Sequence, residues 1–408
     1  MISLALTANT VTPERPHCMY FVKRKKRFCR MTVKQGKKYC GEHQQASSEA
    51  DYNDDDKTDV KRVKCPLDPT HTCYESKLSK HLKICNAKRL LDEQPPYIVK
   101  GINLEKISKV PKHIPLNELD QCLIDTVINK VNAAYDKLPQ FSEAILEHEI
   151  LRDKLNDESS GRAVKKHLLQ NASLLAHLEN SGLIQDNTCF IEFGAGKGKL
   201  TYWLGQMIKD KKDSCMLLVD RSSHRHKSDN KLKYEQSLLE IKRIRADIAD
   251  LKLNGVSDIH QFQRKVGIAK HLCGAATGIM KGKTLIYSKC NVTGLVIAFC
   301  CHHRCDYVSY TGKQYLEQCN FMPDEFPILC SIASWATCGT GLSRVLQTQD
   351  TQDSTKKPRE CTGRKVKTIL NWGRLEYLKK LGFKSDLLYY TTADVSLENM
   401  CIIAKAVQ

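Results

Sequence analysis

The sequence has 408 residues and carries 64 Lys and Arg against 46 Asp and Glu, a formal net charge of +18. Its 41% hydrophobic and 27% charged residues are those of a globular chain with room for two or three domains. No apolar run approaches the roughly 20 residues that a membrane helix needs, so no membrane partner is expected, and the positive surplus points instead to a polyanion such as nucleic acid.

The N-terminal stretch MISLALTANTVTPERP has no basic n-region, so no signal peptide is expected. The nineteen cysteines are then expected in a reducing compartment, nucleus or cytoplasm, where clusters with histidine mean metal more often than disulfide. The first such cluster is Cys18, Cys29, Cys40 and His43, spaced C-x10-C-x10-C-x2-H. Three thiolates and an imidazole are the four ligands of a closed tetrahedral zinc site. The segment has too few large apolar residues to fold alone, so the metal would supply the folding energy. Basic and aromatic residues lie between the ligands, among them Tyr20, Phe21, Arg27, Phe28, Lys37 and Tyr39. Small nucleic-acid modules combine phosphate contacts and base stacking in this way.

Glu49 to Asp59 is an acidic linker. The second cluster, Cys65, His71, His81 and Cys85, is spaced C-x5-H-x9-H-x3-C. His81 and Cys85 lie four apart on a helical stretch and share one face, while Cys65 and His71 come from the preceding turn. Cys73 is a spare that could compete as a ligand. Leu90 to Val110 reads as a connector, and apolar residues between Leu116 and Leu138 recur on one helical face. A further helix, Ala163 to Leu178, opens the larger domain.

The centre of that domain is Asn187 to Thr201, NTCFIEFGAGKGKLT. An apolar strand runs into a loop with Gly194, Gly196 and Gly198 and then into a helix, the arrangement by which a doubly wound α/β fold brings backbone N–H groups against a nucleotide-like ligand. Cys215 to Val219 is the second strand, with Asp220 at its tip, a side chain suited to ribose hydroxyls. Arg221 to Lys231 is a basic loop at the carboxyl edge of the sheet. Val266 to Ala269 is the fourth strand and ends in Lys270-His271-Leu272-Cys273-Gly274. Gly294 to Phe299 is the fifth and runs into Cys300-Cys301-His302-His303-Arg304-Cys305. Consecutive ligands cannot all reach one ion, so this last run reads as the lip of a site or as a brace for the sheet edge rather than as a third metal centre. Gln347 to Lys357 reads as a polar loop and Lys365 to Leu381 as an amphipathic helix. Leu387–Thr391 and Met400–Lys405 are expected to pair as a closing antiparallel hairpin.

Glu192-x-Gly194-x-Gly196 resembles motif I of the class I methyltransferases, and Asp247-Ile248 resembles their third motif. Together with both ligand arrays, KHLCG at 270–274, CCHHRC at 300–305 and SWATCG at 334–339, these motifs resemble one family along nearly the whole chain. It is the eukaryotic tRNA 2′-O-methyltransferase family that modifies the fourth nucleotide of the acceptor stem. The resemblance implies an α/β fold: a Rossmann-like class I methyltransferase sheet with a C-terminal antiparallel hairpin, preceded by two small zinc-binding modules. The expected parts are a CCCH finger over 1–48, a linker over 49–62, a CHHC finger over 63–90, a connector with a helix over 91–160 and the methyltransferase domain over 161–408.

It also implies S-adenosyl-L-methionine, with its methionine end over Gly194, Gly196 and Gly198 near Glu192, its ribose on Asp220 and its adenine against Asp247 and Ile248. Two structural Zn2+ ions would accompany it. The partner would be the tRNA acceptor stem, and no obligate protein partner is inferred. A ribose hydroxyl is a poor nucleophile, so a base or polarising group is needed. Lys270 is the first candidate, provided its pKa is lowered. His302 or His303 is the alternative, with Arg304 holding a phosphate. Two competing functions stand beside this one: an RNA-binding adaptor whose methyltransferase domain is inactive, and methylation of another target. Methyltransferases of base nitrogen commonly carry an Asn/Asp-Pro-Pro-aromatic motif after the fourth strand, where this chain has Lys-His-Leu-Cys.

Overall fold

The computed structural model describes residues 17–22, 27–29, 31–33, 36–40, 43, 61–85, 87–88, 95–224, 227–235, 239–273, 290–336 and 356–407. The run 23–26, the linker up to residue 60, Gly274, residues 338–339 and 347–355 lie outside these. The chain divides into two compact units, Met1–Pro95 and Pro96–Gln408.

The smaller unit holds two hairpins. Strands β1 (Phe21–Val22) and β2 (Arg27–Phe28) pair antiparallel, with Phe21 opposite Phe28. Strands β3 (Arg62–Cys65) and β4 (Asp68–Tyr74) form the second hairpin, and helix α1 (Leu78–Ile84) follows. The buried core here is small: Cys65, Cys85 and Ala87, with Leu67 and Leu82 against them.

The larger unit is built on a seven-stranded sheet of β5 (Thr188–Phe193), β6 (Cys215–Asp220), β7 (Glu240–Arg245), β8 (Arg264–Cys273), β9 (Val292–Cys300), β10 (Phe383–Tyr389) and β11 (Met400–Ala406). Their spatial order is β10-β11-β9-β8-β5-β6-β7. β5 to β9 run parallel, while β11 is antiparallel to both β9 and β10. This is the Rossmann-like class I methyltransferase sheet with its closing antiparallel hairpin, as the motifs implied. The strand order reverses at β5, between β6 and β8, which is where open α/β sheets bind ligands.

Period-two alternation assigns the side chains to faces. Cys189, Ile191 and Phe193 of β5 join Leu217, Val219 and Ala269 in the core on one face. Phe190, Met216, Leu218, Val266 and Ile268 form the core on the other. That second face is covered by α3 (Arg162–Asn180) and α4 (Lys199–Ile208), through Leu168, Leu175, Leu200 and Leu204. Continuing the same phase to the strand ends puts Glu192, Asp220 and Lys270 together on the α3 and α4 face of the carboxyl edge. A third core joins Val127 and Val131 of α2 (Gln121–Tyr135), Leu329 and Ile332 of α5 (Phe326–Ala333), and Val366 and Leu370 of α6 (Lys356–Lys380).

Several element bounds differ from the sequence reading. The helical segment at 116–138 is a 3-10 turn, Leu116–Glu118, followed by α2, whose Asp120 side chain caps it by accepting from Cys122 N. α6 starts at Lys356, so Lys356 and Lys357 are helical rather than part of a loop. Pro358 does not prevent this, because a first-turn residue lacks an N–H partner anyway. β10 begins at Phe383 and stops at Tyr389, so its pairing runs Phe383↔Ala406 to Tyr389↔Met400. β8 continues beyond Ala269 to Cys273, past an irregularity between Lys270 and Leu272 where His271 has φ +61°.

The segment from Pro96 onward packs into the large unit instead of merely connecting to it. Ile98 bridges Leu251 and Glu143 bridges Tyr389. The buried Asn103 Nδ2 donates to the carbonyls of Ile248, at 2.7 Å, and Leu251, at 2.8 Å. Asn103→Ala would leave both carbonyls without that partner, and an unpaired buried acceptor costs about 1–3 kcal/mol. The expected result in denaturant unfolding is a loss of that size with an unchanged m-value. Unaltered stability would show that this segment is not anchored through Asn103.

Candidate functional site

Each ligand array gathers at one point. The donor atoms of Cys18, Cys29, Cys40 and His43 all lie within 4.8 Å of one another, and so do those of Cys65, His71, His81 and Cys85. Zn–S and Zn–N bonds of about 2.3 and 2.0–2.1 Å in a tetrahedron put ligand atoms about 3.3–3.8 Å apart. The spacings observed are 3.5 Å for Cys18 Sγ to His43 Nδ1, 3.3 Å for Cys40 Sγ to the same nitrogen, 3.8 Å for Cys65 Sγ to Cys85 Sγ and 3.6 Å for Cys85 Sγ to His71 Nε2. The donor sets therefore fit Zn2+. Burial pushes the Cys18 thiol up, but hydrogen bonds from the Cys40 and Tyr20 backbone and from the His43 and Cys40 side chains outweigh it and bring the thiol down to about 7. Asp68, not picked out in the sequence, lies 3.6 Å from His71 Nδ1, opposite the nitrogen that faces the other ligands. It is positioned to orient that ring. Cys73 pairs with Val63 across the hairpin and is outside the ligand cluster.

In the larger unit Gly194, Gly196 and Gly198 all have left-handed backbone, with φ of +67°, +51° and +68°. Asp220 accepts from Gly196 N at 2.8 Å and from Ser222 N at 2.7 Å, so it ties the loop to the tip of β6. A part-buried ion pair that the sequence did not reveal also holds the loop. Arg243 donates to Asp229 at 2.7 Å and, with its other terminal nitrogen, to the Gly196 carbonyl at 2.9 Å. A Cβ on Gly198 would stand 2.3 Å from Asp229 Oδ1, so glycine is required there on two counts.

Gly198 is the N-cap of α4 and has no side chain to serve the helix's first N–H groups. Glu192, buried at the end of β5, takes that role. Its Oε2 accepts from Thr201 N at 2.9 Å and from the Thr201 hydroxyl. Burial pushes its carboxyl up to about 7, against the lowering pull of Thr201, Arg243 and Lys270. Asp247 is exposed and caps the next turn through Ala249 N at 2.9 Å, whereas Ile248 is turned into the core beside Leu251 and Ile244.

Lys270 stands next to this group on the same face. Its amine donates to the His167 carbonyl at 3.0 Å and to Asn171 Oδ1 at 2.6 Å, both on α3. Burial brings it down to about 7, with Glu192 opposing and Lys199 assisting. Burial, helped by Lys270 and His167, also pushes His271 down to about 4.

The CCHHRC run splits by direction. His302 is fully buried, its Nε2 2.8 Å from Asn371 Oδ1 and its Nδ1 3.7 Å from Glu398. Glu398, 2.8 Å from Lys367, is held down at about 2: burial pushes it up, but His302 and Lys367 outweigh that. Arg374, also fully buried, donates to Asn371 Oδ1 at 2.8 Å and to Cys305 Sγ at 3.1 Å, and it lies over the rings of Phe299 and Tyr310 at 4.6 and 5.3 Å. His302 and Cys305 thus brace the end of β9 against α6. Arg304 is exposed and His303 intermediate. Among the described residues this run forms no metal-ligand cluster.

Two substitutions test this arrangement. Gly198→Ala forces a left-handed alanine, costing about 1–2 kcal/mol, and displaces the Arg243–Asp229 pair, so denaturant unfolding should show at least that loss. Cys85→Ala should lower bound zinc from two ions to one by elemental analysis, with the unfolding of the larger unit unchanged. Two ions retained in that variant would exclude Cys85 as a ligand.

Residues 169–405 match a family model described as methyltransferase TRM13. Residues 16–44 match one for the CCCH zinc finger in TRM13 protein, and residues 62–86 one for the U11-48K-like CHHC zinc finger. The chain is 34% identical over 461 residues to the tRNA:m(4)X modification enzyme TRM13 homolog of Mus musculus, covering 95% of this chain and 94% of the relative. It is 34% identical over 467 residues to the homolog of Homo sapiens, with 96% and 95% covered. For the tRNA:m(4)X modification enzyme TRM13 of Saccharomyces cerevisiae the identity is 29% over 466 residues, with 96% of each chain covered. With the methyltransferase sheet, both zinc modules and this full-length similarity, the chain belongs to the TRM13 methyltransferase family.

Proposed function

We propose that this protein methylates the ribose 2′-hydroxyl of the fourth nucleotide in the tRNA acceptor stem, with S-adenosyl-L-methionine as the donor. The curated relatives are named as tRNA:m(4)X modification enzymes, and the +18 charge suits a polyanionic substrate. The donor fits the carboxyl edge at the switch point. The left-handed glycine loop would take the donor's methionine end, Asp220 at the tip of β6 would hold its ribose hydroxyls, and the exposed Asp247 would hold its adenine amino group. Glu192 acts indirectly there, by capping α4 and fixing the loop. When bound, the donor supplies an electrophilic methyl group on a positively charged sulfur.

The observation that carries the mechanism is the environment of Lys270. An ammonium has three protons to donate, and among the described residues the amine has two acceptors, the His167 carbonyl and Asn171 Oδ1. A neutral amine satisfies both with its two N–H groups and keeps a lone pair for the proton that the acceptor hydroxyl must lose. Lowering to about 7 by burial makes that neutral form available. The role of His302 is positioning: from its buried place it holds the end of β9, and the exposed Arg304 is left to meet a phosphate. Because side chains read the base edges of an A-form stem poorly, recognition rests on shape, phosphates and the helix end.

The decisive experiment supplies isotopically labelled donor and unmodified bulk tRNA, then maps the labelled nucleotide with nucleases. Label in a 2′-O-methylated acceptor-stem nucleotide is expected; no label, with donor and tRNA both bound, would indicate an adaptor instead. The single-turnover rate should rise as pH increases through about 7 and level off above it, because the active amine is neutral and its folded value lies near 7. The midpoint belongs jointly to Lys270 and Glu192, which is also pushed up to about 7. Lys270→Arg, which stays charged, should cost on the order of 10²–10⁴-fold while retaining donor binding. A fully active arginine variant would transfer the base role elsewhere.

A further inference from the structure

The outer face of the CCCH module is apolar, aromatic and unaccounted for by zinc. Cys18 is buried, and the Tyr20 ring stacks on the ligand His43 with centroids 4.0 Å apart. Met19 and Phe21 are instead 60% and 45% exposed, and cross-strand pairing sets Phe28, 61% exposed, beside Phe21. The two rings meet edge to face with centroids 5.3 Å apart, so a flat side of a ring remains open to a further stacking partner. Between Cys18 and Cys40 the sequence holds nine Lys and Arg and no Asp or Glu. Open aromatic rings on a cationic module suit bases that have left their stack, with phosphates neutralised alongside. Paired bases in an A-form stem do not offer their flat faces.

We propose that Phe21 and Phe28, flanked by Met19, form a stacking platform for unpaired nucleotides, and that its ligand is the single-stranded 3′ end of the tRNA acceptor arm. This deepens the proposed function and rests on tRNA being the substrate. The platform would grip the end of the arm while the larger unit works on a nucleotide within the stem.

The test measures the affinity of the zinc-loaded full-length chain for a tRNA transcript and for the same transcript trimmed to a blunt acceptor stem. Trimming should weaken wild-type binding about 30-fold, the scale of stacking one to two bases. Phe21→Ala/Phe28→Ala should bind the intact transcript about as weakly, lose nothing further on trimming, and keep two zinc ions. Phe28→Trp, which keeps a flat ring, should retain affinity, whereas Phe28→Leu, apolar without a ring, should not. Equal affinity of the double variant and wild type for the intact transcript, with zinc unchanged, would overturn the proposal and leave the face to a protein partner. An equal loss on trimming in both proteins would overturn it too, since the end would then be held elsewhere. Wild-type methyl transfer to the same transcripts is read separately. A trimming effect confined to the platform, without any methylation, would refute the enzymatic reading and leave the platform standing.

Discussion

The parallel pairing of β5 with β6 on one side and β8 on the other is the constraint from which the rest of the larger unit follows. Glu192 lies opposite Leu218 and Ile268, and Asp220 and Lys270 each lie two residues further along the same phase. A register slip of one residue in any of the three would turn its polar end to the opposite face. The apolar residues behind those ends fix the phase, because each is committed to one of two buried cores. The same residues that stabilise the sheet therefore aim its chemistry.

Around that edge the polar groups are held from several elements. Arg243 and Asp229 lock the glycine loop, Glu192 caps α4, and Asn171 with the His167 carbonyl holds Lys270 from α3. Further along, α6 contributes Lys367, Asn371 and Arg374 to the end of β9. Lys270, His302 and the Gly196 carbonyl have partners 99, 69 and 47 positions away, so side chains from separate elements hold them in place. The zinc modules solve the opposite problem. With cores of only a few residues, they obtain their order from four convergent donors each.

Much of this was legible in the sequence for identifiable reasons. Ligand spacings, the glycine loop and the apolar strands are local patterns, and locality is what a single sequence exposes. Asp220 could be placed because it closes a strand whose period is plain, whereas Lys270, expected just past a strand end, lies inside β8, which runs on to Cys273. Asp229 and Arg243 could not: one sits in a basic loop and the other in EIKRIR, where three of six residues are cationic, and only the fold brings them together. Arg374 was equally hidden, since an arginine on an amphipathic helix is ordinarily solvated, and here it lies between two aromatic rings. The CCHHRC run was ambiguous by composition, and the direction of each side chain separates bracing from exposure.

The irregularity in β8 has one further effect. Val266 and Ile268 belong to the face that also carries Lys270, yet Leu272, two residues on, belongs to the opposite core. The left-handed His271 inverts the phase of the strand between them. Leu272 lies against the position where Gly194 would carry a Cβ, so one short segment provides both an amine on one side of the sheet and the apolar floor of the glycine loop on the other. The two duties thus fall to side chains only two residues apart that serve opposite faces of the sheet.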